Sequence, residues 1–192
     1  METLPVLPRP ALQQLPPAID DFLGRRRPKI DGLDREIIIP EGPDCLNEAT
    51  AATERLQDSI LCIQGPPGTG KTWTAAQIIL ALLQHGKRVG LSSNSHKAIG
   101  KLMEEVYERM VAAGCRIKAC KIGGDREELE ERFVGLTWVD TARNVPLEAE
   151  LIGGTAWAFS DPVMEKRIDH LFVHEAGQVS SLEHMRLINL FC

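Results

Sequence analysis

Ser59-Ile60-Leu61-Cys62-Ile63-Gln64-Gly65-Pro66-Pro67-Gly68-Thr69-Gly70-Lys71-Thr72 is the stretch on which the fold turns. Its first six residues are a short, mostly apolar run ending at a glycine, the pattern of a buried strand. Lys71 to Gln84 carries good helix formers with Ile78, Ile79, Leu82 and Leu83 on the apolar side, and His85-Gly86 supplies a last-turn cation and a C-cap. Between strand and helix lies G-x-x-x-x-G-K-T, the pattern of a loop that cradles phosphate. Only glycine lets backbone N–H groups converge on one point while the chain comes close to a ligand, and Gly65, Gly68 and Gly70 supply that freedom. Pro66, Pro67 and Thr69 complete the loop. The helix turns its positive end toward the phosphates, Lys71 is expected to reach the β and γ oxygens, and the Thr72 hydroxyl to coordinate magnesium. The pattern arises by chance on the order of once per hundred chains of this length. A simple glycine turn would not require lysine and threonine there, so ATP with Mg2+ is the expected ligand.

The rest of the composition agrees with a single α/β domain. The chain has 192 residues, 43% of them hydrophobic and only 5% aromatic, which favours an aliphatic core of helices on a sheet. A net charge of −5 argues against a general polyanion binder, though local basic patches remain open. The five cysteines are scattered without a CxxC pair, as in a reduced, cytoplasmic protein. No basic segment leads into an apolar run at the N-terminus, and the apolar window Trp73 to Leu83 is too short to span a bilayer; no membrane partner is expected.

Eight of the twelve prolines fall in residues 1–43, so this part is expected to be an extended leader or connector, with the compact domain occupying 44–192. Its basic cluster Arg25-Arg26-Arg27-Pro28-Lys29 is either a solvated linker or a nucleic-acid contact. Further helices are expected over 47–56 and 96–113, the second with Ile99, Leu102, Val106 and Met110 on one face. Further strands are expected at 88–92, 116–122, 151–155 and 171–173. Residues 125–132, DREELEER, read as an exposed charged helix. Strands alternating with helices imply a parallel sheet covered on both faces.

The second half of a nucleotide site is an apolar strand ending in acidic residues, and Ile168-Asp169-His170-Leu171-Phe172-Val173-His174-Glu175-Ala176-Gly177-Gln178 has that shape. Glu175 is the candidate for orienting and deprotonating water. His170 and His174 do not make a zinc motif, because the fifth position of the motif starting at His174 is Gln178 and the histidines lie on an expected strand, not one turn apart on a helix.

The segments IQGPPGTGKT (63–72), LSSNSHKAIGKL (91–102), GGTAWAF (153–159) and FVHEAGQVS (172–180) together resemble the superfamily 1 helicases, the group of the nonsense-decay RNA helicases and the nuclease-helicases of DNA replication. SNSHKAI and GGTAW are most similar to bacterial fusions of a RecB-like nuclease with such a helicase, and AIDDFLGRRRPK resembles the connector between the two parts. The resemblance implies a RecA-like P-loop NTPase lobe and an ATP-dependent helicase moving on single-stranded DNA or RNA, with DNA favoured. It implies backbone-holding roles for Ser93, Asn94, His96 and Thr155, small polar groups that ignore base identity. It also implies a γ-phosphate-sensing role for Gln178.

Two departures qualify this. The family has Asp-Glu-Ala where this chain has His174-Glu175-Ala176, and imidazole is a poor ligand for oxygen-seeking magnesium. SSLEHMRLINLFC does not continue the family pattern after Val179-Ser180, so an incomplete lobe, truncated after motif II and lacking the second helicase lobe, is expected. The parent protein would supply that lobe, and a RecB-like nuclease domain is a possible partner. The competing reading is a non-catalytic nucleotide- or nucleic-acid-binding fragment, or a decayed gene product.

Overall fold

The computed structural model describes residues 17–34, 38–39, 42–66, 68–124 and 133–174. Among them, five strands form one wholly parallel sheet: β1 Val89–Ser92, β2 Ala119–Ile122, β3 Thr137–Val139, β4 Leu151–Gly153 and β5 His170–Val173, in spatial order β3-β2-β4-β1-β5. The expected α/β fold, a RecA-like P-loop domain, is what the chain adopts. Helices α1 Pro17–Leu23, α2 Cys45–Glu54 and α3 Lys71–Gln84 precede β1, α4 His96–Ala112 joins β1 to β2, and the short α5 Ala156–Phe159 lies between β4 and β5.

Strand alternation sorts the side chains into two apolar layers. Val89 and Leu91 of β1, Ala119 of β2 and Leu151 of β4 meet α3 through Ile78, Ile79 and Leu82 and α4 through Ile99, Leu102, Met103 and Val106. On the opposite face Cys120, Ile122 and Ile152 meet Phe159, Met164 and Ile168. Both faces are therefore covered, one by long helices and the other by short turns. The guanidinium of Arg109 on α4 lies 5.1 Å from the centre of the Trp73 ring on α3, a contact that ties the two long helices together, while Glu105 one turn back on α4 pairs with it.

The run over 59–64 is not a strand. It is irregular and partly exposed, with Ile63 44% accessible. Its apolar pattern fits a strand, but β5 at the end of the sheet is paired on β1 alone. The chain here is instead held to the preceding segment: Gln57 N–H donates to Lys29 O at 2.9 Å, Lys29 N–H to the Ser59 hydroxyl at 3.1 Å, and Ile30 bridges Leu56. Part of the proline-rich leader is thus folded. Ala18, Ile19 and Ile30 are buried, and Asp21 pairs with Arg26 at 2.8 Å and Lys29 at 2.6 Å. Two of the cations in the basic cluster are neutralised in this way. The charged segment 125–132 lies outside the described residues.

Candidate functional site

In a parallel sheet every strand ends on the same edge, and the loops beyond the carboxyl ends are where such folds bind ligands. The phosphate-loop residues approach that edge through α3. Gly68 and Gly70 have φ of 80° and 78°, the left-handed region that glycine enters without strain. The helix opens at Gly70 with no side chain capping it, so the first amides of α3 are free of a local acceptor. Gly65, Pro66, Gly68, Thr69, Gly70 and Lys71 are all exposed, and Pro67 lies outside the described residues.

Lys71 folds back over the loop. Its ammonium donates to Gly65 O at 2.7 Å and Pro66 O at 2.8 Å, and the Thr69 hydroxyl also donates to Pro66 O at 2.8 Å. Both are neutral carbonyls, and a phosphate oxygen offers the ammonium a stronger, charged acceptor. A Cβ at Gly65 would lie 2.7 Å from Thr69 Oγ1, so a side chain there would displace the Thr69 hydroxyl from its bond to Pro66 O.

Three segments far apart in sequence converge next to the loop. Thr72 Oγ1 lies 3.2 Å from His174 Nε2, across 102 positions of sequence. His174 continues the ladder beyond β5, its N–H donating to Ser92 O at 2.8 Å, and its carbonyl accepts from the Ser93 hydroxyl at 3.1 Å. Ser93 is 3% accessible, its hydroxyl within reach of both His174 O and, at 3.3 Å, Asn94 Oδ1, so it lies against the end of β5 rather than facing solvent. Asn94 is exposed. Ser95 caps α4, its hydroxyl accepting from Ala98 N–H at 3.1 Å.

His96, on the first turn of α4, turns the other way. Its Nδ1 lies 2.9 Å from the ammonium of Lys121, a fully buried lysine on β2 that also donates to Ile122 O at 3.2 Å and Gly123 O at 3.1 Å. The ring packs on Gly124, where a Cβ would lie 2.8 Å from His96 Cγ. Thr155 begins α5 and is partly buried. Glu175 and Gln178 lie outside the described residues. Lys121 was not singled out by sequence reasoning, since nothing in Ala-Cys-Lys-Ile marks its ammonium as enclosed.

Magnesium was expected at Thr72. The group beside the Thr72 hydroxyl is an imidazole; the hydroxyl oxygen suits that ion, and the ring nitrogen suits it poorly. Among the described residues no three His, Cys, Asp or Glu side chains gather to hold a metal.

The model of the AAA domain family matches residues 46–144, more than half of the chain. The chain belongs to that family. Its relatives bring this AAA domain within the superfamily 1 helicases. It is 29% identical over 153 residues to a regulator of nonsense transcripts 1 homolog of Drosophila melanogaster, covering 79% of this chain and 11% of the relative. It is 26% identical over 136 residues to the DNA replication ATP-dependent helicase/nuclease DNA2 of Saccharomyces cerevisiae, covering 69% and 9%. Against the corresponding helicase/nuclease of Schizosaccharomyces pombe it is 26% identical over 179 residues, covering 88% and 12%. The chain therefore spans about a tenth of the length of these relatives. It is a helicase-type ATP-binding domain, and among the described residues no helix is long and apolar enough to cross a membrane.

Proposed function

We propose that the chain is the nucleotide-binding lobe of an ATP-dependent helicase that moves on single-stranded nucleic acid, DNA rather than RNA. The carrying observation is the 3.2 Å approach of Thr72 to His174, which joins the phosphate loop to the end of β5 as a two-part nucleotide site requires. The preference for DNA rests on the nuclease-helicase relatives. It also rests on the likeness of the 93–99 and 153–157 segments to nuclease fusions, from which a RecB-like partner domain and a second lobe in the parent would follow.

In this reading the amides from Gly68 to Thr72 cradle the phosphates, and Lys71 turns from the Gly65 and Pro66 carbonyls to the β and γ oxygens. Glu175 orients the attacking water and Gln178 senses the γ-phosphate. Asn94, His96 and Thr155 offer polar groups to a strand crossing the same sheet edge, with Ser93 lying against the end of β5. The imidazole at Thr72 favours nucleotide binding over turnover, so hydrolysis with magnesium is expected to be slow.

The test is calorimetric titration of the full chain with an unhydrolysed ATP analogue, alone and after addition of a single-stranded oligonucleotide. Lys71→Ala should weaken nucleotide binding at least about tenfold, in keeping with the loss of a charge-assisted contact, while leaving the circular dichroism unchanged because Lys71 is exposed. Equal affinity in the variant would remove the reading.

A further inference from the structure

We infer that the cation position beside the phosphate loop of this chain accepts a borderline, nitrogen-seeking divalent ion of the cobalt-to-zinc part of the first transition row in preference to magnesium, through His174. This rests on the nucleotide reading above and adds to it which ion accompanies the nucleotide.

The observation is a pair of donors already set side by side. Thr72 Oγ1 and His174 Nε2 are 3.2 Å apart. Two ligands on adjacent corners of an octahedron, with bonds of about 2.1 Å, stand about 3.0 Å apart, so the separation of the pair matches that of two donors to one ion once the ring turns to aim its nitrogen at the ion rather than at the hydroxyl. The backbone of His174 is held on both sides, its N–H donating to Ser92 O and its carbonyl accepting from the Ser93 hydroxyl. Thr72 is fixed by the first turn of α3.

The chemistry of the donors then sets the ion. Magnesium demands oxygen ligands and gives up water reluctantly. Imidazole nitrogen suits cobalt, nickel and zinc, whose affinity for nitrogen donors exceeds that of the earlier ions. The second ring nitrogen limits the strength of the site. Nδ1 of His174 is buried with no hydrogen-bond partner among the described residues. An ion on Nε2 requires the proton on Nδ1, where no described acceptor receives it, and ligating histidines ordinarily have one. Two protein donors with an unsupported ring hold an ion weakly, so the phosphate oxygens of the nucleotide must complete the shell. The metal enters with the nucleotide and not before it.

The experiment uses the full chain and the β,γ-imido analogue of ATP, titrated in magnesium, in cobalt(II), and in chelator without either. The cobalt complex should bind at least about tenfold more tightly than the magnesium complex, His174→Asp should reverse that order, and His174→Ala should level it. With cobalt and nucleotide bound, proton NMR should show a hyperfine-shifted imidazole N–H signal that is missing in His174→Ala, a readout independent of hydrolysis. Cobalt added without nucleotide should give no such signal. Equal affinity with both ions, or a cobalt preference that survives His174→Ala, would overturn the inference while nucleotide binding through Lys71 stands. Absence of nucleotide binding under every condition would overturn both readings.

Discussion

Lys121 shows how burial alters a single side chain. It is fully buried on β2, with its ammonium among His96 Nδ1, two backbone carbonyls and the face of Trp138, whose ring centre is 5.4 Å away. Burial pushes its pKa down to about 8, with the neighbouring Cys120 thiol acting in the opposite direction. Between about 8 and the ordinary lysine value of 10.5, the unfolded chain holds a proton that the folded chain has shed. Stability from this group therefore rises with pH across that window. Cys120, raised to about 11 by burial, works against it from about pH 9 upward, because there the folded chain holds the extra proton. The difference in melting temperature between the natural chain and Lys121→Met, followed from pH 7.5 to 10, isolates the lysine. It should shift in favour of the natural chain as pH rises, and a flat difference would show that the ammonium keeps its proton. The same substitution removes the donor that fixes His96, so oligonucleotide binding should weaken with it if His96 meets the strand.

At the scale of elements, two glycines show how closely the helices and turns sit on the sheet. A Cβ at Gly90, in the middle of β1, would lie 2.5 Å from Ile168 Cδ1, 2.9 Å from Leu171 Cδ1 and 3.0 Å from Phe159 Cε1. At Gly153, on β4, the nearest atom is Met103 Sδ at 2.4 Å, the middle of a flexible side chain. Gly90→Ala should cost about 1–3 kcal/mol as overpacking, and Gly153→Ala at least as much, since Met103 Sδ lies mid-chain in a fully buried side chain and Ile99 Cγ2 would stand 3.0 Å from the new Cβ. Urea unfolding of the two variants checks the order. The long amphipathic helices were legible because apolar residues recur on one face, and α4 runs from His96 to Ala112 within one residue of the expected end. The strand ends were shorter than expected, and β3 was missed because its three residues Thr137–Val139 carry too little pattern to stand out.

Over the whole molecule, protection should follow the sheet from its centre outward. β1 and β4 are buried throughout, β5 only partly, and 59–66 is irregular. Hydrogen exchange is thus expected to be slowest in β1 and β4 and fast in 59–66, with nucleotide slowing exchange at 65–72. Slow exchange in 59–64 without nucleotide would mean that this segment pairs as a strand in solution. The sequence by itself determined the α/β class, the loop from Gly65 to Thr72, the two long helices and the presence of an imidazole at 174, because these depend on short spacings and on local backbone freedom. Tertiary structure alone decided that His174 meets Thr72, that Ser93 is buried against the end of β5, that Lys121 is enclosed beside His96, and that 59–64 stays off the sheet. Those outcomes depend on strand order and on which groups lose water, and such contacts join residues whose separation in the chain carries no trace of their distance in space.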